Sequence, residues 1–87
     1  MGRRQEIAHA LAAAILSGPL TKEGLFKRTS AVICQRRAWL RPLAKRVVAH
    51  FGEGARPRRF RVERFLLSDA GFVKACEKLP LDLDLSV

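Results

Sequence analysis

The sequence predicts an all-α fold: a small bundle of about five short helices with an extended C-terminal tail. Three observations lead there. Apolar residues recur at i, i+3, i+4 and i+7 along most of the chain. Gly18–Pro19, Thr21, Gly52 and Ser68 cut that pattern into short lengths, because they break or cap helices. The 87 residues are 48% hydrophobic and 29% charged, which suits one folded domain with an economical core.

The first helix is expected over 3–17, with Ile7, Leu11, Ala14 and Ile15 on one face and alanines favouring the conformation. Gly18–Pro19 ends it. Thr21 then reads as an N-cap, with Glu23 in the first turn where the helix dipole favours an anion. "KEGLFKRTSAVI" supplies Leu25, Thr29 and Val32. Gly24 weakens this helix by about 1 kcal/mol relative to Ala, and Ser30 is a point where it can split. The third stretch, "WLRPLAKRVVAHFG", is the clearest. Leu40, Leu43, Ala44, Val47, Val48 and Phe51 form its stripe, and Pro42 requires a start near Trp39–Pro42. Gly52 suits its end.

"GEGAR" (52–56) is the loop that follows, and Pro57 restarts a helix at or near its first position. Val62, Phe65 and Leu66 form the buried side of that helix. Ser68 is expected to cap the last helix, with Asp69 in its first turn and Phe72, Cys76 and Leu79 facing the core. "LPLDLDLSV" alternates with period two, as a half-buried strand does, yet it has no partner strand in this chain. The organisation is therefore a helical domain over 1–79 and a tail over 80–87.

Charge is the most informative feature. The formal net charge is +9 and the pI about 11.1, a surplus that favours polyanionic partners. Ten basic residues lie between Arg36 and Arg64 against Glu53 and Glu63. They are Arg36, Arg37, Arg41, Lys45, Arg46, Arg56, Arg58, Arg59, Arg61 and Arg64. Nine of the ten are arginine, the planar, weakly hydrated cation suited to bidentate phosphate contact and to stacking on bases. Trp39 stands among Arg36, Arg37 and Arg41. It can serve as a stacking platform for an unpaired base or as a core residue ahead of the apolar stripe. These eleven residues are the candidate nucleic-acid-binding set. If six to ten cations touch phosphates, affinity falls roughly a thousandfold or more between 50 and 200 mM salt.

Catalytic constellations are not evident. His9 lies on the flank of the first helix, and His50 in the last turn of the third, where the dipole suits it. Two histidines and two scattered cysteines do not make a zinc set. Glu6, Glu23, Glu53 and Glu63 are single carboxylates beside basic residues, read as surface partners and not as a paired acid and base. "GEG" lacks the Lys-Ser/Thr of a phosphate loop. Cys34 and Cys76 read as small buried hydrophobes in a reducing compartment, with a disulfide as the alternative. Arg3 and Arg4 followed by "IAHALAAAIL" imitate a signal peptide. His9 interrupts the run, so a cytoplasmic chain is expected. Neither a membrane nor a small-molecule substrate is expected as a partner.

Three stretches in this order, "IAHALAAAILSGPLTKEGL", "RRAWLRPLAKRVVAHFG" and "RPRRFRVERFLLSDAGFVKAC", carry a resemblance. The chain resembles, over about residues 7–79, the N-terminal helical extension of bacterial retron-type reverse transcriptases. The most specific elements are Gly18–Pro19–Leu20–Thr21, Trp39–Leu40–Arg41–Pro42–Leu43, and Arg58–Arg59 ahead of Phe65–Leu66–Leu67. The family's catalytic Tyr-x-Asp-Asp turn is missing, since the chain has no tyrosine and no Asp-Asp pair. The resemblance thus implies a non-catalytic, RNA-binding module, detached or truncated from a parent RNA-directed DNA polymerase. That parent would use magnesium, copy part of a structured non-coding RNA and act in phage defence. No cofactor is expected in this chain, and "LPLDLDLSV" would begin the connection to the catalytic part.

Two other classes compete. "TKEGLFKRTSAVICQRRAWLRPLAKRVV" can be arranged as a helix-turn-helix of a DNA-binding regulator, with 38–51 as recognition helix. Pro42 and the absence of Asn leave Gln35 and arginines as readers there. A protein-interaction adaptor would instead use the basic face on an acidic partner and the leucine-alternating tail as an added strand.

Overall fold

Helix α1 (Arg3–Ile15) is the centre of the molecule, because its alanines let neighbours approach on several sides. A computed structural model describes residues 2–85 and contains five helices among them: α1, α2 (Lys22–Ile33), α3 (Leu40–Phe51), α4 (Arg59–Ser68) and α5 (Ala70–Lys78). α1 packs on α2, α4 and α5, α2 on α3, and α4 on α5. Ala8, Ala10 and Ala12 are buried beside Ile7, Leu11 and Ile15. Of the stripe expected from the sequence, Ile7, Leu11 and Ile15 are buried and Ala14 is half-buried.

The all-α bundle is as expected, with local corrections. α1 stops at Ile15, two residues before the expected end. Arg28, from α2, donates to the carbonyls of Ala14, Ile15 and Pro19 at 2.9–3.0 Å, and so caps α1 from outside. Ser30 does not split α2, which runs unbroken to Ile33 and ends with Cys34 in the left-handed region at φ 59°. Cys34 is exposed there, whereas Cys76 is buried as expected. Thr21 caps α2 by accepting from the Gly24 N–H at 3.1 Å.

Pro57 lies outside α4. Arg58 is still extended, and its carbonyl receives the N–H groups of Arg61 and Val62, so the helix begins at Arg59. Ser68 is the last residue of α4 and donates to the Phe65 carbonyl. The cap of α5 is Asp69, whose Oδ1 accepts from the Phe72 N–H at 2.9 Å.

No strand occurs among the described residues. The period-two tail is broken by a turn in which the Leu83 N–H meets the Pro80 carbonyl. Leu79 is buried, Leu81 is 91% exposed, and Leu83 and Leu85 are half-buried. Arg3 reaches across to the carbonyls of Leu79 and Pro80. Ser86 and Val87, the end of the expected tail, lie outside the described residues.

Candidate nucleic-acid interface

Aromatic side chains close the seam between α3 and the α4–α5 pair. Trp39 meets Phe72 edge-on at 6.3 Å, His50 lies tilted over Phe65 at 4.6 Å, and Phe51 meets Phe65 at 5.6 Å. α3 therefore runs antiparallel to the chain from Phe65 to Phe72. This seam places His50 and Phe51, at the end of α3, beside Phe65 of α4.

The expected cations divide by what surrounds them. Two are held by carboxylates. Arg41 donates to Glu23 at 2.7 Å and covers the Phe26 ring at 4.1 Å. Arg46 donates from Nε and Nη2 to both oxygens of Asp69, at 2.8 and 2.9 Å. That pairing, more than any other influence, holds the Asp69 carboxyl below its ordinary range. Arg59 donates to Nε2 of His9 at 3.3 Å, and Nδ1 of His9 in turn donates to Glu63 at 2.7 Å. Glu63 thus serves a histidine on α1, not an adjacent arginine.

The remaining cations have no carboxylate partner among the described residues. Among the described residues the salt bridges involve only His9, Arg41 and Arg46, which leaves Arg36, Arg37, Lys45, Arg56, Arg58, Arg61 and Arg64. Arg36 and Arg37 lie in the connection between α2 and α3, with Arg37 half-buried and its Nε without a hydrogen-bond partner. Lys45 stands on the outer face of α3. Arg56 and Arg58 precede α4, and Arg61 and Arg64 project from it. At about 100° per residue, Arg61, Arg64 and Phe60 share an arc of about 100° opposite the buried Val62 and Leu66.

Arg61 sits over Phe51 at 5.6 Å and Arg64 over Phe60 at 5.6 Å. Arg61, Arg64, His50, Phe51, Phe65 and Ser68 line a shallow depression of about 290 Å³ at the seam. Trp39 is half-buried and packs edge-on against Phe72.

Two members of this surface were not singled out by the sequence. Phe60 is 56% exposed, although an apolar residue within an amphipathic helix normally reads as core. Its helical position supplied the signal, since it falls on the arc of Arg64 and away from Val62. His50 was explained by the helix dipole alone, and its stacking on Phe65 depends on a contact between distant elements.

No His, Cys, Asp or Glu cluster able to hold a metal ion occurs among the described residues. No helix among them is long and apolar enough to cross a membrane. Comparison with known proteins finds no matching family model, no similar curated protein and no similar solved structure.

Proposed function

We propose that this chain is a non-catalytic nucleic-acid-binding module that grips the phosphate backbone of structured RNA with the arginines of α4 and the loop before it. One observation carries the reading: Arg56, Arg58, Arg61 and Arg64 are exposed, and none is paired with a carboxylate of the described residues. Their placement also opposes local stability. α4 has no side-chain cap and no acidic residue in its first turn, where Arg58, Arg59 and Arg61 cluster instead. Cations at a helix N-terminus cost about 0.3–1 kcal/mol each. A merely solubilising surface has no reason to accept that cost; a phosphate-binding surface does.

The resemblance of residues 7–79 to the extension of retron-type reverse transcriptases supports RNA as the ligand and a polymerase, using magnesium on its own residues, as the neighbour. The helix-turn-helix alternative is less well supported. At the start of α3, Leu40 and Leu43 are buried and Arg41 is engaged by Glu23 and Phe26. Few side chains there are left to read base edges.

Fluorescence anisotropy with an RNA hairpin and a matched DNA duplex, each at 50 and 200 mM salt, tests the reading. Tighter, salt-sensitive binding to the hairpin is expected. The triple substitution Arg58→Ala, Arg61→Ala, Arg64→Ala should weaken it similarly for unrelated sequences while the circular dichroism stays helical. Sequence-dependent preference for duplex DNA would point to the regulator, and no nucleic-acid binding at low salt would leave the adaptor.

A further inference from the structure

We infer that Phe60 and Arg64 form a stacking site for one unpaired base, flanked by Arg61 as a phosphate contact. The inference rests on the nucleic-acid reading above and adds to it a requirement for single-stranded character. Phe60 is a large hydrophobic residue left 56% exposed on a helix rich in arginine. The bundle has no use for it, because Val62 and Leu66 supply the buried face of α4.

Arg64 stands one helical turn away, with its guanidinium 5.6 Å from the Phe60 ring centroid. That pair joins a π-face to a planar cation, and both stack on nucleobases. On the other side of Arg64 along the same arc stands Arg61, over Phe51. A nucleotide with its base on Phe60 would place its phosphates within reach of Arg61 and Arg64. A base inside a duplex cannot enter this arrangement, since both its faces are already stacked. A splayed base in a loop or bulge can. Trp39, the sequence's candidate for this role, is engaged with Phe72.

The test compares Phe60→Ala and Phe60→Trp with the unaltered chain on two RNAs: a hairpin with an unpaired loop, and a blunt duplex of the same stem. Phe60→Ala should weaken hairpin binding roughly fivefold to a hundredfold and leave the blunt duplex unchanged, while Phe60→Trp should retain hairpin affinity. Equal loss on both RNAs, or loss on neither, overturns the stacking site. A change in oligomeric state on Phe60→Ala, read by light scattering, also overturns it, because the ring would then be a protein contact. Failure of the phosphate-binding reading is distinguishable: the unaltered chain would then bind neither RNA.

Discussion

Asp69 holds α3 against the junction of α4 and α5: its two oxygens accept from Arg46 at 2.8 and 2.9 Å, and one of them also accepts from the Phe72 N–H at 2.9 Å. Its own N–H closes the last turn of α4 on Leu66, and its carbonyl opens α5 by accepting from Val73. A single residue therefore ends one helix, starts the next and fixes a third.

Asp69→Ala should destabilise the fold by about 0.5–3 kcal/mol. Loss of an N-cap costs about 0.5–2 kcal/mol. The ion pair adds at most about 1 kcal/mol, because Arg46 is 43% exposed to solvent. Asp69→Asn keeps a capping oxygen and should cost less. Urea denaturation monitored by circular dichroism gives both values.

The same carboxylate gives stability a pH dependence of defined sign. Its pKa in the folded chain lies below the ordinary 3.8, first because of the Arg46 hydrogen bond. The stabilisation is therefore complete above 3.8 and is lost as pH falls through the lowered value. Denaturation midpoints should drop on acidification below about pH 4, and Asp69→Asn should remove part of that drop.

Binding and folding should separate among the arginines. Arg46→Gln should lower stability and change RNA affinity little, because Arg46 is already committed to Asp69. Arg64→Gln should do the reverse. If Arg56, Arg58, Arg61 and Arg64 are the phosphate contacts, the loss of affinity between 50 and 200 mM salt is about a hundredfold. That is smaller than the thousandfold that the charge count alone suggests. A salt titration of the anisotropy signal measures the slope directly.

These contrasts show what the sequence can and cannot reveal. The stripe Leu40–Phe51, the Thr21 cap and all the helices were legible, because periodicity and capping are local properties. The break at Asp69 was harder to place. Ser68 is as good a cap as Asp69 by type, and Asp69 alone separates α4 from α5. The division of the cations into engaged and available was not legible. Glu23 meets Arg41 across 18 positions and Asp69 meets Arg46 across 23, distances that only the packing of α2 on α3 and of the seam can bridge. The burial of α1 on several sides was hidden for a related reason: its alanines signal helix propensity and give little hydrophobic contrast.

Gly24→Ala should destabilise the chain even though alanine is the better helix former by about 1 kcal/mol. A Cβ at this position would lie 2.8 Å from the capping oxygen of Thr21 and 2.9 Å from Nη1 of Arg28. The Arg28 side chain is not free to yield, since it is bound to the carbonyls of Ala14, Ile15 and Pro19. Relief must come from the cap or from that clamp, and either costs about as much as the propensity gain or more. Thermal melts of Gly24→Ala beside Arg28→Ala check the argument. Both should melt below the unaltered chain, and the double substitution should be less damaging than the sum, because removing Arg28 makes room for the methyl group.

Cys76 offers a direct reading of global opening. Burial pushes its thiol up to about 11, and its side chain lies in the core formed with Phe72 and Leu79. The thiolate is the reactive species, so both access and ionisation protect this residue in the folded chain. Iodoacetamide labelling at pH 8, mapped by mass spectrometry, should leave Cys76 unmodified in buffer and modify it fully in urea. Phe72→Ala removes the ring that packs on Trp39 and should cost about 3–5 kcal/mol, a large share of the stability expected for a domain of this size. In that variant Cys76 should become labelled without denaturant. Protection that persisted would mean that α5 stays docked without its principal anchor.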